Sequence, residues 1–381
     1  MTKLTVCVDG RLRDSAQTGV ASYGHALREA LATVGHPSWL LDDATVGRFG
    51  VPSTRVEAIR RRCRAVLPMP VRLRIDGERR ALHASDIFRL AQVRFLATGR
   101  MLELHAPGKP AIMHWTYPIP ARIAGWTNLY TVHDVIPLAT PHLTPIDPEA
   151  LRARIACVAA TADRLVAVSP WARRAIVDAF DFPDAFVVDC GSSVSRMLPG
   201  DGRLPAGLTA GSYFLYCGLL EARKNIDCMV EAWRRSGSIL PLVVAGPADP
   251  KEAAMRHALR ERGVIVLPYQ SRPALIDLMA GACALVLVSL EEGFGLPVVE
   301  AMALGTPVLT ADRGALAETA GDAAMRVDPT NVEAVAMGFR RLGEDPALRR
   351  SLAEAGLRHA ARFTPAAFGA RLTGFYAGLA R

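Results

Sequence analysis

The sequence predicts an α/β protein of two domains, and three observations carry the prediction. Short β-branched and leucine runs alternate with helical patterns along most of the chain, as in parallel sheets covered by helices. The length of 381 residues has room for about two such domains. One stretch, 192–211, contains Pro199, Gly200, Gly202, Pro205, Gly207 and Gly211 and reads as a linker. The expected layout is a first domain over 1–191, the linker, a second domain over 212–362, and a terminal helix over 363–381 that crosses back to the first domain.

Composition excludes several classes. Half of the residues are hydrophobic, and neither repeats nor low-complexity runs occur, so the chain is globular rather than disordered or fibrous. Seven cysteines, an odd number without a CxxC pair, argue against a disulfide framework or structural zinc and for a reducing cytoplasm. The N-terminal apolar run is too short for a signal peptide, and no window reaches the roughly 18 apolar residues of a spanning helix. Any membrane contact is therefore expected to be peripheral, on the inner face.

Charge is unevenly placed. Between Arg48 and Arg100 stand 13 basic residues against 4 acidic ones, a surplus that accounts for the whole net charge of +8. Within that segment Val56, Ile59, Cys63, Val66 and Leu67 run beside Arg60, Arg61, Arg62 and Arg64, and Ile87 to Leu96 is a second mixed stretch. An apolar face edged by arginines suits a helix lying in an anionic membrane interface. A core-packed helix with a solvated basic face fits the same pattern. Nucleic acid is not expected as a partner, because the aromatics are few and not interleaved with the basic residues.

In chain order, Leu4 to Val8 reads as a buried strand, followed by a polar loop that ends in Gly19 and a helix on which Val20, Tyr23, Leu27 and Leu31 share a face. Asn128 to Val132 is a strand that runs into His133 and Asp134, where α/β proteins place ligand contacts. Asp134 is expected to orient the His133 imidazole so that its other nitrogen meets a hydroxyl. Ser169 caps a helix opened by Pro170, and Phe186 to Asp189 is a further strand.

The second domain opens with a strand at Tyr213 to Cys217. The loop GLLEARKN follows, Gly218 to Asn225, with Asn225 as the helix cap. Arg223 and Lys224 stand just before a helix N-terminus, a place for a diphosphate. Strands at Pro241 to Gly246, Val264 to Pro268 and Ala284 to Val288 continue a parallel sheet, with helices at Lys251 to Arg262 and Pro273 to Gly281. From Ser289 the chain enters a glycine loop, and a helix follows from Leu296 to Leu304, with Pro297 in its first turn and Gly305 at its end. Glu292 lies in that loop and Glu300 in that helix. Strands at Thr306 to Thr310 and Ala323 to Val327 come next, and helices from Asn331, Pro346 and Pro365 close the chain.

The segment Glu292 to Val308, EGFGLPVVEAMALGTPV, resembles the donor site of retaining glycosyltransferases of family 4, which have the GT-B architecture. The loop GLLEARKN is similar to that family's GxLxxRKN, and His133 with Asp134 is similar to its HD pair. The family usually has asparagine before the glycine at 191; here it is Cys190. The resemblance implies two Rossmann-like domains facing across a cleft, acceptor side first and nucleotide-sugar donor side second. It implies Glu292, Arg223, Lys224 and His133 in catalysis. Gly19, Gly218, Glu300, Asp134 and the backbone of Phe294, Gly295 and Leu296 would hold the donor. Tyr269 lies in the loop expected at the base.

No Asp-x-Asp metal motif is present, so the resemblance implies a donor site without a metal, in which cations and a helix dipole serve the diphosphate. It further implies retention of anomeric configuration, with the leaving phosphate helping to deprotonate the acceptor. HDVIP and DRGALAETAGDAA look most like bacterial mannosyl- and rhamnosyltransferases of polysaccharide assembly. The expected donor is GDP-mannose and the expected acceptor a polyprenyl-diphosphate-linked glycan at the membrane. A UDP-sugar or dTDP-rhamnose transferase, a sugar-nucleotide epimerase and a non-catalytic nucleotide-sugar sensor are the rivals; a nicotinamide oxidoreductase is disfavoured by the missing GxGxxG.

Overall fold

The computed structural model describes residues 5–11, 19–43, 55–67, 70–109, 111–246 and 252–379, with the backbone only over 55–60. Outside the described residues lie Leu4, most of the loop expected before Gly19, Arg48, Lys251, and the side chains of Val56, Ile59 and Arg60. The chain divides into two compact units. The first comprises Met1–Pro141, Ile146–Ser195 and Pro365–Arg381; the second comprises His142–Pro145 and Arg196–Thr364.

In the first unit the strands are β1 (Val6–Asp9), β2 (Trp39–Asp43), β3 (Val71–Arg72), β4 (Arg74–Asp76), β5 (Ala81–Ala84), β6 (Leu102–His105), β7 (Ile112–Trp115), β8 (Ala121–Ile123), β9 (Thr127–Val132), β10 (Arg164–Ala167) and β11 (Val187–Asp189). Eight of them form one sheet in the order β11-β10-β9-β7-β1-β2-β5-β4, and β3-β6-β8 form a second. Every pairing but β4 with β5 is parallel. Strand order reverses between β1 and β7, so their carboxyl ends form the crevice where such sheets receive ligands. The helices are α1 (Gly19–Thr33), α2 (Arg55–Val66), α3 (Ile87–Thr98), α4 (Ile136–Ala139), α5 (Pro148–Ala159) and α6 (Pro170–Phe180). Ser169 accepts from the Ala172 amide at 3.0 Å, the cap that its place before Pro170 predicts.

The basic segment resolves in favour of packing at several positions. Ile87, Phe88, Leu90 and Ala91 of α3 are core residues rather than an interfacial face. Arg61 pairs with Asp86 at 2.5 Å, and Arg94 donates to the carbonyls of Ala65, Leu67 and Met101. Arg62 and Arg64 are exposed, as are Val66, Leu67 and Leu96, the last at 70%. Among the described residues no helix is long and apolar enough to cross a membrane.

The second unit has β12 (Phe214–Cys217), β13 (Leu242–Ala245), β14 (Ile265–Val266), β15 (Ala284–Leu287), β16 (Val308–Ala311) and β17 (Met325–Val327). They form one parallel sheet in the order β14-β13-β12-β15-β16-β17, which reverses between β12 and β15. Its helices are α7 (Ile226–Ser236), α8 (Ala253–Glu261), α9 (Arg272–Ala280), α10 (Leu296–Ala303), α11 (Gly314–Ala320), α12 (Val332–Glu344) and α13 (Pro346–Ala360). The strands are buried almost throughout, which explains why they read as continuous apolar runs without alternation.

The last helix, α14 (Pro365–Leu379), belongs to the first unit. It lies tightly on α1: a β-carbon at Gly369 would stand 2.4 Å from the Ala30 carbonyl oxygen. Tyr376 reaches His114 with Oη 2.6 Å from Nδ1, while His114 Nε2 meets Thr131 Oγ1 at 2.9 Å. Arg371 donates to the carbonyls of Cys190 and Ser192. Cys190 is buried and its thiol is pushed up to about 12, chiefly by burial, so it packs rather than reacts.

Candidate active site

The carboxyl ends of β12 and β15 bring the second unit's predicted residues together. After β12, Gly218 takes φ 144°, and Tyr216 Oη donates to the Leu219 carbonyl at 2.5 Å to hold the loop. Gly246, just past β13, approaches so closely that a β-carbon there would lie 2.2 Å from the Gly218 oxygen. Ala222–Lys224 then form a single helical turn that carries Arg223 and Lys224. The Leu290 amide donates to the Arg223 carbonyl at 2.8 Å and locks this turn to the loop after β15. Asn225 departs from its expected role. Its side chain does not cap α7; with φ at 58°, its Nδ2 donates to the carbonyls of Val288 and Pro329, stitching three loops together.

Glu292 is 9% exposed and surrounded by donors. Arg223 Nη1 reaches its Oε2 at 2.8 Å, Lys224 Nζ pairs with Oε1, and Ser289 Oγ donates to Oε1 at 2.9 Å. Burial opposes ionisation, but the Lys224 and Arg223 charges overcome it and hold the carboxyl down at about 2. Arg223 also pairs with Glu221 at 2.7 Å, so two cations and two carboxylates balance. The two cations expected to face a diphosphate are thus the ones that hold Glu292.

Glu300 sits in α10, 5% exposed, and is gripped by both terminal nitrogens of Arg272. Burial raises its carboxyl, with Arg272 opposing. Sequence reasoning did not single out Arg272. The signal was a cation in the first turn of α9, where the helix dipole disfavours it and a nearby carboxylate is needed to compensate. Arg272 is 47% exposed, so the pair has one buried and one accessible end. Tyr269 is exposed in the same loop.

At the N-terminus of α10, Gly295 is left-handed with φ 91°, and a β-carbon on it would meet Leu316 at 2.5 Å. Leu296 is the first helical residue, where amides have no partner within the helix. The Phe294 ring stands edge-on to Phe363 with centroids 5.7 Å apart, which leaves its backbone for any ligand contact.

Gly19, His133 and Asp134 belong to the first unit. Gly19 opens α1, with nothing within 4 Å of an added β-carbon. The expectation that Asp134 orients His133 needs correction. Asp134 Oδ1 accepts from the Ile136 amide, and it is the Thr116 carbonyl that accepts from His133 Nε2 at 2.9 Å. A carbonyl can only accept, so Nε2 carries the proton and Nδ1 is left as an acceptor for a hydroxyl. Burial pushes the imidazole down to about 4, so it is neutral at pH 7 and is not a general acid there.

Two units with parallel sheets and crevices at their switch points define the class of fold first. Sucrose-phosphate synthase from Thermosynechococcus elongatus shares it, with a TM-score of 0.69 over 99% of each chain at 19% identity. The architecture is that of GT-B glycosyltransferases. More particularly, residues 209–359 match the family described as Glycosyl transferases group 1, so the second unit carries a group 1 domain. O-antigen chain mannosyltransferase B of Escherichia coli is 30% identical over 54% of this chain and 58% of that protein. D-inositol 3-phosphate glycosyltransferase of Nocardia farcinica is 31% identical over 68% of this chain and 64% of its own length. The matches thus span under two thirds of these relatives.

Proposed function

We propose that this protein is a glycosyltransferase that takes mannose from GDP-mannose and passes it, with retention, to a lipid-linked glycan. One observation carries the reading: Arg223, Lys224 and Glu292 meet at the switch point of the second unit, beside the N-terminus of α10. A carboxylate that holds a buried lysine and a part-buried arginine in place is a preorganised site. When a diphosphate arrives at the unpaired amides of the α10 N-terminus, Arg223 and Lys224 can lean toward it without first being desolvated. Charge growing on the departing phosphate then meets cations already in position, which stabilises the transition state. Glu292 keeps spare lone pairs for a hydroxyl of the sugar, and Glu300, steadied by Arg272, for those of the ribose. No divalent ion is required in this scheme.

Mannose rests on the likeness to the Escherichia coli mannosyltransferase and on HDVIP and DRGALAETAGDAA. UDP-sugars are the alternative donors. The exposed Arg62 and Arg64, with Val66, Leu67 and Leu96 nearby in sequence and fold, support peripheral docking on anionic lipid. The testing experiment is a thermal-shift panel of GDP, UDP, dTDP and ADP with and without EDTA, followed by product analysis with the matching nucleotide sugar. A GDP-selective shift insensitive to EDTA is expected. Selectivity for UDP replaces the donor, and silence toward every nucleotide removes the enzyme reading.

A further inference from the structure

Each of the two large sheets has a switch point, and the function proposed above uses the one between β12 and β15. The other lies between β1 and β7. There, β1 ends in Asp9 and leads to Arg11, while β7 leads to Thr116 and Tyr117. Asp9 is buried; its Oδ2 accepts from the Thr116 amide at 2.5 Å and its Oδ1 from the Arg11 amide at 3.3 Å. These bonds tie the two loops together and place Arg11 beside Tyr117. The Arg11 guanidinium carbon is 5.6 Å from the centre of the Tyr117 ring. Arg154, from α5, stands 6.0 Å from the same centre, and its Nη1 donates to Tyr117 Oη at 3.3 Å.

Two guanidinium groups therefore share one ring. Among the described residues neither forms an ion pair with a carboxylate within 4 Å, and Arg154 Nε is buried without a hydrogen-bond partner. Among the described residues Asp9 is the carboxylate next to Arg11, with its oxygens engaged by backbone amides. Like charges held this close, with donors unsatisfied, complement an anion with several oxygens, and the planar fork of arginine matches phosphate. His133 donates to the carbonyl of Thr116, one residue before Tyr117, so the hydroxyl-accepting Nδ1 belongs to the same neighbourhood.

We propose that Arg11, Tyr117 and Arg154 form a phosphate-binding site in the first unit, which takes the phosphate or diphosphate of the glycosyl acceptor. The proposal rests on the glycosyltransferase reading for the word acceptor, but not for the site. The chemistry can come from a lipid diphosphate or from a soluble sugar phosphate.

The test is calorimetric titration of inorganic pyrophosphate into the full chain, already saturated with whichever nucleoside diphosphate raises its melting temperature most. Wild type is expected to bind. Arg11→Gln and Arg154→Gln are each expected to weaken pyrophosphate by about tenfold while nucleotide affinity stays unchanged. Arg11 lies on a loop, so its variant remains informative even where Arg154→Gln melts early; Arg154→Lys keeps the charge and is expected to fall between. Farnesyl diphosphate binding more tightly than pyrophosphate identifies the lipid source, and tighter binding of mannose 1-phosphate the soluble one. Pyrophosphate affinity unmoved by either glutamine variant, or no pyrophosphate binding to the nucleotide-loaded protein, overturns the site. Pyrophosphate binding lost in the variants of a protein that no nucleotide stabilises leaves the site standing and removes the donor reading.

Discussion

Glu292 concentrates the local electrostatics of the second unit. Its folded carboxyl lies at about 2, below the usual unfolded value near 4.3. A depressed acid stabilises the fold above the unfolded value and loses that contribution as pH falls through the folded one. Glu292→Gln leaves Lys224 buried without its carboxylate, while Arg223 keeps Glu221, and a loss on the order of 3 kcal/mol is expected at pH 7. The difference from wild type should shrink steadily between about pH 4.5 and pH 2. Urea denaturation of both proteins across that range checks it, and a constant difference would contradict the pairing. The motif pointed to Glu292, Arg223 and Lys224 individually. It did not reveal that they bind one another, since 69 residues separate Arg223 from Glu292.

At the scale of elements, the loops after β12 and β13 work as one piece. Gly246 is set against the Gly218 carbonyl, a backbone atom that no rotamer change can move aside. Gly246→Ala is expected to destabilise the second unit by at least about 2 kcal/mol and to weaken nucleotide binding by shifting Gly218. Gly374→Ala in α14 is the control: an added β-carbon meets nothing within 4 Å there, and a helical glycine replaced by alanine gains about 0.5–1 kcal/mol. Denaturation midpoints with nucleotide titrations separate the two. The strands and most helices of the second unit lie within a few residues of where pattern places them, whereas α11 was not expected and Asn225 does not cap α7. The segment 70–123 was less legible because β3, β4 and β8 are two or three residues long, too short to show a period.

For the whole molecule, α14 is what joins the end of the chain to its first unit. It contributes Phe368, Leu372 and Tyr376 to that core, and Tyr376 meets His114, a histidine that burial pushes down to about 3. Deleting Pro365–Arg381 would uncover the face of α1 and leave His114 Nδ1 without its phenol. Amide exchange is expected to accelerate in α1 and β7 while the second unit keeps both its protection and its nucleotide response. Equal loosening of both units would count against this assignment of the helix.

The sequence by itself determined the α/β class, the strand–glycine loop–helix that holds Glu292 and Glu300, and the Ser169 cap, because each depends on residues within a few positions of one another. Tertiary structure alone decided that Arg272 holds Glu300, that Thr116 rather than Asp134 orients His133, that Asn225 bridges loops instead of capping, and that Arg11 and Arg154 share Tyr117. Those pairings depend on which strands are neighbours. Strand order is set by how buried faces pack across the whole sheet, and no local pattern of residues encodes it.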